Sequence, residues 1–344
     1  MTAFRLPAMR TLVLAAAALA AGSAWAQKTE LLVYTALETD QLKAYTESFQ
    51  KTNPNIDLKF VRDSTGVITA KLLAEKANPQ ADVILGVAAS SLDIFNAEGM
   101  LAPYAPAGFD KLNPAYSHKG KPPAWVGMDV FAATVCYNTV EGKKKNIPKP
   151  ETWADLTKPV YKGQITMPNP ASSGTGFLAV SGWLQGMGEG VGWKFMDQLH
   201  ANVAQYTHSG SKPCRQSGAG EFVVGISFDF RGNDVKAKGA PVELVFPKEG
   251  LGWDIEAAAI VKATKKMDAA KKLLDWVATK EANQAYAKNF AIVAHPEVKP
   301  ALPHLPADLE KRLAKNDFAY AAKNRDKILA EWQKRYDAKS EPKK

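Results

Sequence analysis

Leu31-Leu32-Val33-Tyr34-Thr35, Ile56-Asp57-Leu58-Lys59-Phe60-Val61 and Ala81-Asp82-Val83-Ile84-Leu85-Gly86 are short apolar runs bounded by polar turns, which is the pattern of β-strands. Between them the spacing changes to that of helices. Leu42, Tyr45 and Phe49 share one helical face that Asn53-Pro54-Asn55 ends, Leu72 and Leu73 mark a second helix, and Ala88-Ala89-Ser90-Ser91 opens a third. A β-α-β-α-β series predicts a largely parallel sheet, so the fold class is α/β. The first two strands hand over to hydroxyl-bearing turns at Thr35 and at Asp63-Ser64-Thr65-Gly66. That C-terminal edge is where ligands sit in open α/β sheets.

Further strands are predicted at Phe131 to Tyr137, Val203 to Tyr206, Phe222 to Phe228, Pro241 to Phe246 and Ala257 to Val261, and helical periodicity dominates from Asp268 onward. Lys143 to Thr152 is a basic, proline-interrupted loop. No internal repeat or low-complexity tract is present. The pattern suggests one α/β lobe over residues 128–236, inserted into another built from residues 27–127 and 237–344 that includes the C-terminal helices. Two chain crossings between the lobes would act as a hinge around a cleft.

The segment best suited to fill such a cleft is Pro168-Asn169-Pro170-Ala171-Ser172-Ser173-Gly174-Thr175-Gly176. Its two prolines forbid a helix before Ala171, while Phe177, Val180, Leu184 and Met187 recur at helical spacing. The hydroxyl and glycine cluster therefore forms a first helical turn. Unpaired N–H groups, the positive end of the helix dipole and Ser or Thr hydroxyls make such a turn an anion site for a phosphate-like or carboxylate head group.

At the N-terminus, Arg5 and Arg10 precede the apolar run Leu12 to Ala21, and Ala24-Trp25-Ala26 supplies the small-x-small pattern of a cleaved leader, so residues 1–26 read as a signal peptide. The mature chain, about 318 residues from Gln27, suits two domains. It holds no apolar run near the roughly 18 residues of a membrane span, and is expected to be soluble and exported. Removing Arg5 and Arg10 with the leader lowers the net charge from +9 to +7, spread along the chain apart from short runs such as Lys143-Lys144-Lys145. An exported chain with that distribution is not expected to bind nucleic acid. Cys136 and Cys214 are the two cysteines. In an oxidising compartment they form either a disulfide or two buried thiols, because sequence does not give their separation.

The residues argue against an enzyme. Ser-Ser-Gly-Thr-Gly lacks the G-x-S-x-G nucleophile elbow. His118, His200, His208, His295 and His304 show no metal-ligand spacing, and neither metal nor cofactor is expected. Gly174 to Ala179 matches G-x-G-x-x-A, but the prolines before it break the required strand approach, and no P-loop is present.

Tyr34-Thr35-Ala36-Leu37-Glu38, Thr134-Val135-Cys136-Tyr137-Asn138-Thr139, Pro168 to Gly176, His208 to Pro213 and Phe246-Pro247-Lys248-Glu249-Gly250-Leu251-Gly252-Trp253-Asp254 carry a likeness that covers essentially the whole mature chain. In these positions the chain resembles the periplasmic solute-binding proteins of ABC importers, in the cluster that includes ferric-ion-binding and phosphonate-binding members. It looks most like the 2-aminoethylphosphonate-binding ones. The resemblance implies a type II periplasmic binding fold that acts as a monomer, closes on a solute and delivers it to a membrane permease with its ATPase. Ferric-binding members carry an adjacent tyrosine pair just after the Gly-Ile strand. This chain has Phe228-Asp229-Phe230-Arg231 there, and without phenolates the hard-oxygen chemistry that holds Fe(III) is lost.

2-Aminoethylphosphonate needs donors at one pole and acceptors at the other. The phosphonate candidates are Ser172, Ser173, Gly174 and Thr175, facing Thr35, Ser64 and Thr65, with Ser209 as a further donor. The ammonium candidates are Asp229 and Glu38, with Tyr206 and Trp253 flanking the linker or meeting the cation through a ring face. Helix capping is the competing role for Ser172, Thr35, Ser64, Thr65 and Glu38. Phosphate, a sugar phosphate or another phosphonate remain alternative solutes, with ferric ion behind them.

Overall fold

The computed structural model describes residues 28–342, and the leader read at residues 1–26 lies outside them. In the first part of the chain, β1 (Thr29–Thr35), α1 (Thr39–Thr52), β2 (Ile56–Arg62), α2 (Thr65–Ala74), β3 (Val83–Ala88), α3 (Ala89–Ala97) and the short β4 (Leu101–Ala102) realise the alternation of apolar runs and helical spacing. There follow β5 (Val126–Asn138), α4 (Thr139–Lys144), β6 (Ile165–Pro168), α5 (Gly174–Met187), α6 (Glu189–Asn202), β7 (Val203–Thr207), α7 (Lys212–Gly218), β8 (Val224–Phe228), α8 (Asp229–Ala237) and β9 (Val242–Val245). The chain returns through β10 (Trp253–Val261), α9 (Met267–Val277), α10 (Lys280–Ala287), β11 (Ile292–Val293), α11 (Leu309–Arg312) and α12 (Phe318–Tyr336). Part of the segment read as a basic loop is the short α4, because Asn138 accepts hydrogen bonds from the Val140 and Glu141 N–H groups and so starts a helix.

β2, β1 and β3 pair in parallel, as do β6 with β7 and with β8. Their apolar residues, such as Leu31, Val33, Val83, Ile165 and Ile226, are fully buried between helices. The two parallel sets are joined by β5, whose 13 residues are all buried. The N-terminal part of β5 pairs antiparallel with β10, which adjoins β3. Its C-terminal part, Ala133 to Asn138, pairs with β8 and β9. The result is the type II periplasmic binding fold, two α/β halves with mostly parallel strands.

β5 makes the first crossing between the halves near Ala132 and Ala133. The boundary read at residues 236 and 237 precedes β9. Since β9 pairs with Val135 to Asn138 in the second half, the return crossing lies between Val245 and Trp253. The end of the chain adds a tie that sequence assigned to the first half alone. α12 has 19 residues, enough for about 28 Å at 1.5 Å each. It packs on α3 at one end, and at the other Trp332 meets the ring edge of Tyr206 at 4.8 Å.

Cys136 of β5 and Cys214 of α7 form a disulfide, with Cα atoms 5.4 Å apart. The bond is packed against Val235 and Val242 and pins α7 to the strand that carries the first crossing.

Candidate functional site

Between the halves, at the C-terminal ends of their parallel strands, lies a cavity of about 40 Å³. Water occupies roughly 10–15 Å³ on this measure, so the space holds only about three waters in this closed arrangement. The halves touch beside it. The Gly66 N–H at the start of α2 donates to the Ser172 carbonyl at 2.9 Å. A Cβ on Gly66 would lie 2.1 Å from the Ala171 oxygen, and one on Gly174 would lie 2.9 Å from Thr65 Oγ1. Glycine at both positions is what lets the two helix N-termini approach each other.

Ser64 and Thr65 from the first half, and Ser173, Gly174 and Thr175 from the second, line the cavity together, as the sequence reading expects. The Ser64 hydroxyl makes no cap hydrogen bond. Ser173 caps α5 by accepting from the Gly176 N–H at 3.4 Å, a long bond that a stronger acceptor at the same turn can displace. Two helix N-termini and their hydroxyl-bearing residues thus border one small space.

Other expected residues lie elsewhere. Thr35 is fully buried and accepts from the Leu37 N–H, shaping the turn after β1. The Ser172 hydroxyl turns away, 3.0 Å from His208 Nδ1, so Ser172 offers its backbone to the interface instead. Ser209 Oγ lies 3.0 Å from Ser211 Oγ, while its neighbour Gly210 reaches the cavity. Tyr206 sits beneath α12 with its hydroxyl 2.9 Å from His200 Nδ1. Trp253 Nε1 donates to the Ala314 carbonyl, and its ring packs edge-on against Phe318. Neither aromatic ring faces the cavity.

Glu38 does line it, but its carboxylate is shared. Arg62, Arg215 and Arg231 approach Glu38 Oε2 to 3.5, 3.6 and 3.7 Å. Arg62 comes from the first half and the other two from the second, and Arg231 also pairs with Asp40 at 3.2 Å across the gap. The Glu38 N–H also donates to Gln41 Oε1 at 2.7 Å at the start of α1. Arg62 itself lines the cavity and adds a cation to its wall.

Asp229 begins α8 and folds back, accepting from the Ala132 N–H at 3.0 Å at the first crossing. It is fully buried and does not border the cavity. Burial pushes its carboxyl up to about 7, against the opposing pull of backbone N–H groups. The folded chain therefore holds a proton that the unfolded chain, with an ordinary carboxyl at 3.8, releases. The stability from this group falls as pH rises through that interval. In Asp229→Asn the amide keeps the acceptor and no longer ionises. Urea denaturation of both proteins at pH 5 and pH 8 should show the variant gaining on wild type at the higher pH, whereas a difference constant with pH would contradict this role.

Sequence reasoning missed Arg62, Phe131, Phe228 and Glu256 in the cavity wall. Arg62 ends β2 immediately before the Asp63 to Gly66 turn, a position open to reading. Glu256 fell outside the strand expected from Ala257. A lone carboxylate in the apolar run Ile255 to Val261 was the available signal.

A family model described as bacterial extracellular solute-binding protein matches residues 78–321. A curated protein of Haemophilus influenzae, described as uncharacterized, is 33% identical over 277 residues, 80% of each chain. A probable ABC transporter periplasmic-binding protein of Sinorhizobium fredii is 28% identical over 264 residues, 74% of this chain and 71% of its own. Among solved structures, the periplasmic binding protein AfuA of Actinobacillus pleuropneumoniae, with exogenous fructose-6-phosphate bound, superposes with a TM-score of 0.85 at 30% identity, covering 90% of this chain and 99% of its own.

Proposed function

The chain belongs to the family of bacterial extracellular solute-binding proteins, and from that premise we propose that it captures a small solute with a phosphonate or phosphate head group between its halves, acting as closing lobes, and delivers it to an ABC permease and its ATPase. The observation that carries this reading is the convergence of Ser64, Thr65, Ser173, Gly174, Thr175 and Arg62 on one interlobe cavity. Neutral donors surround a multi-oxygen anion while a single arginine in the wall adds charge, which favours capture without preventing release.

In the finer reading the solute is 2-aminoethylphosphonate, taken up in the periplasm by a monomer after removal of the leader. The cavity wall also carries Glu256, an acceptor for the ammonium. The amine role expected of Asp229 and Glu38 thus passes to Glu256 in this proposal. A hexose phosphate is the second reading, supported by the fructose-6-phosphate bound to AfuA. Both solutes share the head group and differ in the tail.

Closure is favoured to the extent that the solute binds the closed form more tightly than the open one. Each hydroxyl that reaches a charged head group contributes about 1.5–3 kcal/mol. Ser173→Ala and Thr175→Ala are each expected to weaken 2-aminoethylphosphonate and inorganic phosphate alike by about 10- to 100-fold. Ligand-induced shifts of Tm across a concentration series would measure this, and unchanged shifts in both variants would remove the anion turn from the site.

A further inference from the structure

We propose that Glu256, backed by Asp129, selects for an amine-bearing solute, and that this pair gives up a shared proton to solvent when the ammonium arrives. The inference rests on the phosphonate reading above and deepens it. Glu256 of β10 and Asp129 of β5 are direct cross-strand partners, which places their side chains on the same face of the sheet. Asp129 is fully buried, and neither of its oxygens nor Glu256 Oε2 has a hydrogen-bond partner. Two carboxyls set directly opposite each other in a buried wall cannot both ionise without strong repulsion, which favours one proton shared between them. Burial and the neighbouring negative charges raise both groups, in keeping with a proton shared by the pair.

The chamber behind the cavity is also short of partners. Glu256 Oε2, both Asp129 oxygens, Asp229 Oδ2 and the Tyr286 hydroxyl are buried without a hydrogen bond, and Asp129, Asp229 and Tyr286 are fully enclosed. Glu256 alone of these borders the cavity, so it is the one a solute can reach. Titratable and charged groups reach the pair from three of the helices around it. α1 brings Glu38 and Tyr45, α10 brings Tyr286, and α8 brings Asp229 and Arg231. β11 sets only Val293 opposite Asp129. The charge of Arg231 pulls Glu256 down, but Arg231 is engaged by Glu38, Asp40 and Asp234 and makes no ion pair with Glu256 or Asp129.

An ammonium at Glu256 would supply that ion pair. It donates to the carboxylate, the shared proton leaves for the buffer, and the net charge of the chamber is unchanged. A tail without positive charge gives no such exchange. The pair thereby discriminates between solutes whose head groups are the same.

Calorimetric titration of the full chain with 2-aminoethylphosphonate and with ethylphosphonate, in buffers of different ionisation enthalpy, counts the protons. About one proton is expected to be released with the amine and none with the ethyl compound. Glu256→Gln should abolish the release and cost the amine about 10- to 100-fold in affinity, with ethylphosphonate changed far less. Equal losses for the two compounds, or proton release that survives in Glu256→Gln, would overturn the inference. If neither phosphonate binds, the solute reading fails by itself, and infrared spectra of the free protein decide the pair. A protonated-carboxyl band lost in both Glu256→Gln and Asp129→Asn supports the shared proton, and its absence from wild type overturns it.

Discussion

Gly66→Ala is expected to raise the stability of the unliganded protein slightly while weakening solute binding by about 100-fold or more. The two effects have opposite signs because they come from different contacts. Gly66 lies in the first turn of α2, where alanine is the better helix former by roughly 0.5–1 kcal/mol. The added Cβ would stand 2.1 Å from the Ala171 oxygen in the closed form, a distance that neither backbone can accept. It would also prise apart the Gly66 N–H and the Ser172 carbonyl, now 2.9 Å apart across the gap. An open form has no such neighbour, so the fold is spared and closure is not. Affinity falls because the binding-competent population falls. Thermal denaturation and binding measured on the same preparation would check both signs, and unchanged affinity would mean that the halves do not need this approach to hold a solute.

The second large effect is on stability. Replacing Cys136 and Cys214 together by alanine removes a cross-link between residues 78 apart in sequence. In the chain-entropy treatment, a closed loop of that size is worth about 4 kcal/mol. A chain of this length should then lose roughly 6 °C in Tm. Alanine is the informative replacement, because both sulfurs are buried beside Val235 and Val242, and serine would add a buried hydroxyl. The loss should reach the site as well. Cys214 adjoins Arg215, which approaches Glu38 across the gap, so a loosened α7 blurs that contact. Scanning calorimetry of wild type and double variant, with and without reductant, tests this. Wild type under reductant should converge on the variant, and an unchanged Tm in both would contradict the stabilising role.

Much of this architecture was legible in sequence, because periodicity is a local property. The runs at Leu31, Ile56 and Val83 became β1 to β3, and the Pro168 to Gly176 segment became β6 and the capped start of α5. Ser64, Thr65, Ser173, Gly174 and Thr175 were readable because a hydroxyl at a helix N-terminus has few directions in which to point. What could not be read depends on distant partners. Tyr206 and Trp253 were placed near the cleft by their strand-end positions, but α12 and the segment before it, 61 to 126 residues further along, cover those rings. Asp229 turned inward because Ala132, 97 residues upstream, needed an acceptor at the crossing. Glu38 kept its place in the cavity wall while its charge was claimed by arginines from both halves.

Isothermal titration of residues 27–344 with 2-aminoethylphosphonate, ethylphosphonate, inorganic phosphate and a hexose 6-phosphate bears most directly on the proposed capture of a phosphonate- or phosphate-bearing solute. One-to-one binding of at least one of these, strongest for 2-aminoethylphosphonate and lost in Gly66→Ala, is the expected result. Absence of heat from all four, with binding of a solute that has no phosphorus-centred anion, would contradict it.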